Sequence, residues 1–410
     1  MSVRQRLYPE WESAALMVEH CQQARFVYNI GLEQRSLWTE QRRYYAQKVN
    51  LASQMRELAE LRGDLDWLRA GSSVVQQAAL RDLDRAYANF FAGRSGYPNF
   101  KKRSRTRGAF VVRDLTVRRV NRKWGTVLVP KVGHVRFRLT RDWALIANAT
   151  SARVTFAHDQ WHISFTTPPP ARITAGTGAM VGIDRGVANS LATSDGEFFH
   201  APSLTSGEQQ RFLALERRYA RQVKHSNRRR ETLRQLDRLR GRLTHRRTDW
   251  VEKTTTSLAR TYDLIALEAL PVRNMTRRAA PRPDPLNPGR FLPNGAAAKT
   301  GLNRAILANL WGRIDTRLEQ KTDHVVVHVN PRNTSRECNI CHHISIDNRK
   351  SQAVFACEQC GAVAHADVNA AGNVLDRGIV EQGRTRGLPG VWAYQSRESR
   401  ANHLPAAQAA

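Results

Sequence analysis

The sequence predicts an α/β protein of several domains, and three observations carry that prediction. Helical periodicity runs from Trp11 to about Arg43 and again over 208–260. A block of short, β-branched runs fills 108–168, and further apolar runs follow a Pro/Gly/Thr-rich joint at 169–178. At 410 residues the chain is long enough for two or three separately cored domains.

Composition narrows the partners. Lys plus Arg total 65 against 36 Asp plus Glu, a formal charge of +29. That surplus is clustered and interleaved with aromatics, which points to a polyanion, most simply nucleic acid. No apolar run approaches the roughly 18 residues of a spanning helix, so no membrane is expected. The start, "MSVRQRLYPEWES", lacks the apolar core of a signal peptide. Five cysteines, four of them in CxxC pairs, suit a reducing compartment and a metal, and the expected location is the cytosol.

In chain order, "SVRQRLYP" reads as a short strand and Trp11 to about Arg43 as helix, with Leu16, His20, Ala24, Val27 and Tyr28 at three- and four-residue steps. A second helix is expected over Ser73–Phe91, capped by Ser72 or Ser73. "GYPNFKKRSRTRGAF" then sets Tyr97 and Phe100 before Lys101, Lys102, Arg103 and Arg105. Rings beside cations can stack on bases while the charges meet phosphate; the plainer reading is a solvated loop. After the joint, "AMVGIDRGVANSLATSDGEFF" reads as a buried strand and a hairpin closed at Asp195-Gly196. Residues 208–260 form a basic helical hairpin with apolar stripes at Phe212, Leu215, Tyr219 and at Leu233, Leu236, Leu239, Leu243. Its bend carries Arg228, Arg229 and Arg230, candidates for a nucleic-acid backbone. "YDLIALEAL" is a short apolar strand; a Pro- and Arg-rich loop (271–300), a helix near 302–320 and the strand "HVVVHV" complete the run to the cysteines.

Cys338-x2-Cys341, fifteen residues, then Cys357-x2-Cys360 is the spacing of a four-thiolate tetrahedral zinc site. A closed site of that kind is structural, since no position is open to substrate. His342, His343 and His365 are then spare imidazoles, and Cys21 is a buried core residue.

Three acids stand out by placement. Asp184 ends "MVGID", Glu268 ends "LIALE", and Asp367 opens "DVNAAGNVL". An unpaired carboxylate is costly in an apolar stretch, so Glu268 demands a reason. Two strand ends and a crossing helix could bring the three together; clustered carboxylates repel unless divalent cations intervene, and oxygen ligands suit Mg²⁺ or Mn²⁺. Two such ions activate water and steady a leaving oxygen in phosphodiester hydrolysis. Asp195, Asp263 and Asp376 remain competitors on spacing alone.

At these residues a family resemblance emerges. "GIDRGV", "LIALEAL" followed by "NM", "SRECNIC…CEQCG" and "DVNAAGN" together resemble the RuvC nuclease domain of TnpB proteins, transposon-encoded RNA-guided nucleases related to compact type V CRISPR effectors. "RLYP", "ARFVYN" and "GYPNFKKR" are similar to the family's N-terminal half. The resemblance implies an RNase H-like (RuvC) domain over 179–337 and 362–378, a zinc ribbon inserted at 338–361, a β-barrel wedge domain from 1–10 and 108–168, and a helical recognition lobe at 11–107; residues 379–410 match nothing in the family and, having little pattern, read as a flexible tail. It implies Asp184, Glu268 and Asp367 as ligands of Mg²⁺ (or Mn²⁺), two ions, beside one structural Zn²⁺. It further implies a guide RNA paired with double-stranded target DNA next to a short motif read by the protein; oligomeric state is left open by the sequence, with a monomer the expectation. Many relatives carry an acid where this chain has His365. The alternative is an RNA-guided DNA-binding protein without cleavage; relatives of that kind are expected to lose catalytic acids, and this chain keeps all three.

Overall fold

The structure is a computed structural model that describes residues 2–36, 49–103, 108–287, 289–323 and 325–385. The chain divides into two compact units, Met1–Pro170 with Arg211–Gly241, and Ala171–Gln210 with Arg242–Ala410.

The first unit opens with β1 (Ser2–Tyr8), helix α1 (Trp11–Ser36), α2 (Leu51–Asp64), α3 (Asp66–Ala70) and α4 (Ser73–Phe91). Residues 37–43, expected as the end of the first helix, lie outside the described residues. Asn50 and Ser53 form a reciprocal capping box on α2, and Ser72 Oγ accepts the Val75 N–H at the start of α4. Strands β2 (Gly108–Arg113), β3 (Val117–Arg119), β4 (Trp124–Val129) and β5 (Gly133–Arg138) follow, then a turn of helix, α5 (Ala144–Ala147), and β6 (Ser151–Ala157) and β7 (Gln160–Thr166). All seven strands pair antiparallel in the order β2-β6-β7-β1-β5-β4-β3. The first strand therefore sits inside the sheet, between β7 and β5, so α1–α4 are an excursion from one sheet. In this ladder β2 and β3 stand at the two ends.

Leu7, Met17, Val75, Leu83, Phe110, Phe137, Ile163 and Phe165 share the core beneath that sheet. The unit ends in part of a helical hairpin, α6 (Ser206–Arg221) and α7 (Asn227–Thr261). Leu215, Leu236 and Leu239 form its seam, with Phe212 and Tyr219 packed against it. At the bend the Arg229 guanidinium lies 4.0 Å from the Tyr219 ring centroid, and its Nη1 donates to the Gln222 carbonyl at 2.7 Å.

The second unit is built on β8 (Met180–Asp184), β9 (Leu191–Thr193), β10 (Phe198–Phe199), β11 (Leu264–Glu268) and, after a short helix α8 (Val272–Met275) and the hairpin β12 (Arg282–Pro283) with β13 (Phe291–Leu292), helices α9 (Ala296–Ala308) and α10 (Trp311–Lys321) and strand β14 (Val325–Val329). The sheet order is β10-β9-β8-β11-β14, with β8, β11 and β14 parallel and β9 and β10 returning antiparallel. Two expectations are revised here. The loop expected over 271–300 holds α8, the two-stranded hairpin and the start of α9. The helix expected over 302–320 is two helices, because Leu310 takes a left-handed φ of 58° and Trp311 Nε1 turns to the Ser190 carbonyl at 3.0 Å.

Both faces of this sheet are covered, which is why β11 reads as an unbroken apolar run. Val181, Ile183, Ile265 and Leu267 pack with Val251, Leu258, Ile314 and Leu318. Leu264, Ala266, Val327 and Val329 pack with Val374, Leu375 and Ile379 of the last helix, α11 (Ala366–Thr385). That helix runs seven residues past 378, where the sequence reading placed the start of a flexible tail. Two small strands, β15 (Val354–Ala356) and β16 (Val363–His365), lead directly into it.

Candidate metal centre and carboxylate site

Side chains alternate across a strand, so Met180, Gly182 and Asp184 share one face of β8, as Leu264, Ala266 and Glu268 do on β11. This is the face that α11 covers. Leu267 pairs with Ile183, so Asp184 and Glu268 end neighbouring parallel strands one step further on. Asp367 stands in the first turn of α11, over the same end of the sheet. Small residues set the spacing: a Cβ at Gly182 would fall 2.0 Å from the Ala371 carbonyl oxygen, and one at Gly378 would fall 2.4 Å from the Ala266 Cβ. Glu268 and Asp367 are 5% and 6% exposed. Burial first, then the charges of Glu268 and Asp367, pushes the Asp184 carboxyl up from its usual 3.8 to about 7, against the opposing pull of Arg349 and the Arg185 N–H. Burial raises Glu268 as well, opposed by the Thr334 hydrogen bond and the charges of Arg185 and Arg377.

Each acid is held by neighbours that spacing does not reveal. Thr334 Oγ1 donates to Glu268 Oε1 at 2.7 Å. Asn189 Nδ2 donates to Asp367 Oδ2 at 2.8 Å, and Arg349 Nη2 lies 3.2 Å from Asp367 Oδ1. The Asp367 N–H donates to His365 Nδ1 at 3.2 Å, while the His365 ring meets Phe198 edge-on at 4.8 Å. Buried Arg185 grips Asp315 through Nη1 at 2.9 and 2.8 Å and donates from Nη2 to the Glu268 carbonyl. The competing acids have other partners. Asp195 accepts from Tyr262 Oη, Asp263 from the Gly176 and Gly178 N–H groups, and Asp376 from Asn339.

The four cysteines converge tightly. Their sulfurs all lie within 4.8 Å of one another, with Cys338 Sγ 3.7 Å from Cys360 Sγ and Cys341 Sγ 3.5 Å from Cys357 Sγ. A tetrahedron with Zn–S bonds of about 2.3 Å has edges of about 3.8 Å, so this four-cysteine cluster fits one zinc ion. Among the described residues, it is the one group of three or more His, Cys, Asp or Glu side chains whose ligand atoms gather that closely. His342 instead faces Glu337 at 3.1 Å. The cluster is joined to α11: Cys338, Phe355, Cys357 and Ala366 share a small core, and the Ala366 N–H donates to the Ala353 carbonyl at 2.8 Å. From α11, Asn369 Nδ2 and Asn373 Nδ2 both donate to the Glu337 carbonyl at 2.7 Å. Asn348, fully buried, donates to the Arg336 and His343 carbonyls and accepts the Glu358 N–H, fixing the segment that carries Arg349.

The proposed nucleic-acid residues fall in the first unit. Tyr97 is 45% exposed and donates or accepts at 2.9 Å with Tyr87 Oη; Phe100 is 48% exposed. Lys102, Arg103, Arg228 and Arg230 are exposed, Arg229 is the clamp at the hairpin bend, and Lys101 is half-buried against Tyr28. Arg105 lies outside the described residues. The sequence reading missed Arg185, Asn189, Thr334 and Arg349. A charged residue directly after an apolar strand flags Arg185; the other three come from separate segments and leave no local signal.

An α/β multidomain protein with a four-cysteine zinc-binding cluster is thus defined by fold and site together. Residues 162–279 match the OrfB_IS605 family, described as "Probable transposase", and residues 311–374 match "Cas12f1-like, TNB domain". Over 359 residues the chain is 32% identical to "Putative RNA-guided DNA endonuclease InsQ" of Escherichia coli (strain K12), covering 86% of each. It is 31% identical over 397 residues to "Putative RNA-guided DNA endonuclease" of Streptomyces pristinaespiralis, covering 91% of this chain and 88% of that one. Among solved structures, it is similar to Cas12f1 in its complex with sgRNA and target DNA, at a TM-score of 0.49 and 15% identity over 90% of this chain and 83% of that one. The chain belongs to the IS605 OrfB/TnpB-like family, related to Cas12f. No described helix is long and apolar enough to cross a membrane.

Proposed function

We propose that this protein is an RNA-guided DNA endonuclease that hydrolyses phosphodiesters at Asp184, Glu268 and Asp367. The observation that carries the reading is the shared face: two adjacent strand ends and the first turn of α11 bring three carboxylates to one place, with Asp184 pushed up to about 7. A buried acid cluster at such electrostatic cost is relieved by divalent cations, and the all-oxygen donor set suits Mg²⁺ or Mn²⁺, in a pair. Bound there, such ions supply water activation and charge stabilisation of the leaving oxygen. The protein's own side chains do the positioning. Thr334 orients Glu268, Asn189 orients Asp367, and Arg185 ties the Glu268 backbone to Asp315. Arg349 adds a guanidinium at Asp367 that can pair with phosphate oxygens.

The order of the second sheet, with an antiparallel hairpin beside three parallel strands and a covering C-terminal helix, supports the reading of residues 179–337 and 362–378 as an RNase H-like domain with the zinc ribbon inserted at 338–361. The seven-stranded sheet and α1–α4 support a wedge domain with a helical recognition insert. In this reading a guide RNA pairs with double-stranded target DNA, and the +29 charge holds the backbones while base pairing supplies sequence. The names of the E. coli and Streptomyces relatives agree with it. The test is cleavage of a DNA target matched to the RNA that co-purifies with the protein, in Mg²⁺. Target binding without cutting by the unmutated protein would sink the nuclease and leave an RNA-guided binder.

A further inference from the structure

A cavity of about 210 Å³ opens in the first unit, walled by α1, α4, β2 and β6. Its lining includes Arg25, Lys101 and Arg153, with Asp82 as the one acid. Asp82 is already engaged, 2.7 Å from Arg153 Nη2. Lys101 is held in place by its backbone: its N–H donates to Asn29 Oδ1 at 2.8 Å, and its carbonyl accepts from Asn29 Nδ2 at 3.2 Å. Its ammonium lies 3.5 Å from the Tyr28 ring centroid. Burial, reinforced by Arg153 and Arg25 and opposed by Asp82, draws Lys101 down to about 8. Three cations and one acid therefore line the cavity, Asp82 is paired with Arg153 while its charge also acts on Lys101, and the remaining positive surplus is costly to bury without a further anion.

We propose that this cavity is a phosphate pocket that receives one backbone phosphate of a nucleic-acid strand. Arg25, Lys101 and Arg153 line the cavity from three separate elements, α1, the segment after α4, and β6, an origin that suits a tetrahedral anion better than a planar carboxylate. The strand, rather than free phosphate, is favoured by the surface leading to the cavity. Arg153 is partly open at 43% side-chain exposure, and Phe100, Lys102 and Arg103 beside Lys101 are exposed. The proposal rests on the nucleic-acid-binding half of the reading above and is independent of the carboxylate site.

The test uses the full chain freed of RNA, with lysine acylation read residue by residue by mass spectrometry. A short single-stranded RNA of mixed sequence should protect Lys101 severalfold, whereas inorganic phosphate at the same phosphate concentration should not. Lys101→Met should weaken that RNA's binding and reduce the slope of log affinity against log salt by about 0.7, the share of one single-strand phosphate. Equal protection by inorganic phosphate would overturn the strand assignment in favour of a small phosphate ligand. Unchanged acylation under saturating RNA would overturn the pocket altogether, and it does so on the unmutated protein even if Lys101→Met misfolds. Neither arm reads cleavage, so a failure of the nuclease reading leaves the result interpretable.

Discussion

Gly182 and Ala371 are in contact through bare backbone: a Cβ at position 182 would lie 2.0 Å from the Ala371 carbonyl oxygen and 2.5 Å from the Leu375 N. That approach lets α11 lie low on β8, and it brings Asp367, one turn before Ala371, over the end of the strand that carries Asp184. Packed backbone cannot yield as a flexible side chain can. Gly182→Ala is therefore expected to cost about 1–3 kcal/mol or more by overpacking, and to lose cleavage beyond what its stability loss explains. Thermal melts alongside cleavage rates check both; a variant with unchanged melting would contradict the packing.

Arg185 bridges the site through its side chain, joining Asp315 to the Glu268 carbonyl. Removing an outer partner of a ligand residue costs about 10–100-fold in metal affinity or activity. Arg185→Met is expected in that range, seen as a higher Mg²⁺ requirement in a cleavage titration, with Asp315→Asn shifting the same curve less. A parallel loss at every Mg²⁺ concentration would mean that Arg185 serves the fold alone.

Asp184 gives a pH prediction with a definite sign. Its folded pKa, about 7, lies above the usual 3.8, so folding penalises the ionised form. Below the usual value both states are protonated and the penalty vanishes; it grows as pH rises and is complete above about 7. Asp184→Asn should thus melt a few degrees higher than the unmutated protein at pH 8 in chelator, and the gap should close towards pH 4–5. Mg²⁺ should raise the melting temperature of the unmutated protein and not that of the variant. An Asn variant less stable at pH 8 would contradict the electrostatic account.

The four-cysteine cluster is joined to the start of α11 through the small core of Cys338, Phe355, Cys357 and Ala366, so a zinc ion held there would brace that helix start. Cys357→Ser is expected to lower zinc content well below one per chain, and to lower both stability and activity. Elemental analysis of the purified variant decides it: full zinc occupancy would contradict the four-thiolate cluster.

The elements with a period were readable in advance. Short apolar runs ending in an acid marked β8 and β11, CxxC spacing marked the zinc cluster, and leucine stripes marked the α6–α7 hairpin. The break at Leu310 was not readable, because a left-handed leucine is forced by tertiary contact, here Trp311 reaching the Ser190 carbonyl. The carboxylates were visible as acids at element ends, and Glu268 was singled out over Asp263 by the family motif around it; that Asp263 accepts from two glycine N–H groups is a three-dimensional fact that spacing does not carry. Asn369 and Asn373 belonged to a recognisable motif, yet their work of holding the loop before the first zinc knuckle is a three-dimensional fact.

Asp184 is expected to be essential to cutting and dispensable for target recognition. That expectation is tested most directly by Asp184→Ala, purified with its RNA and assayed on matched DNA in Mg²⁺ for binding and cleavage together. The expected result is cleavage at background with target affinity retained; cutting at the unmutated rate would contradict it.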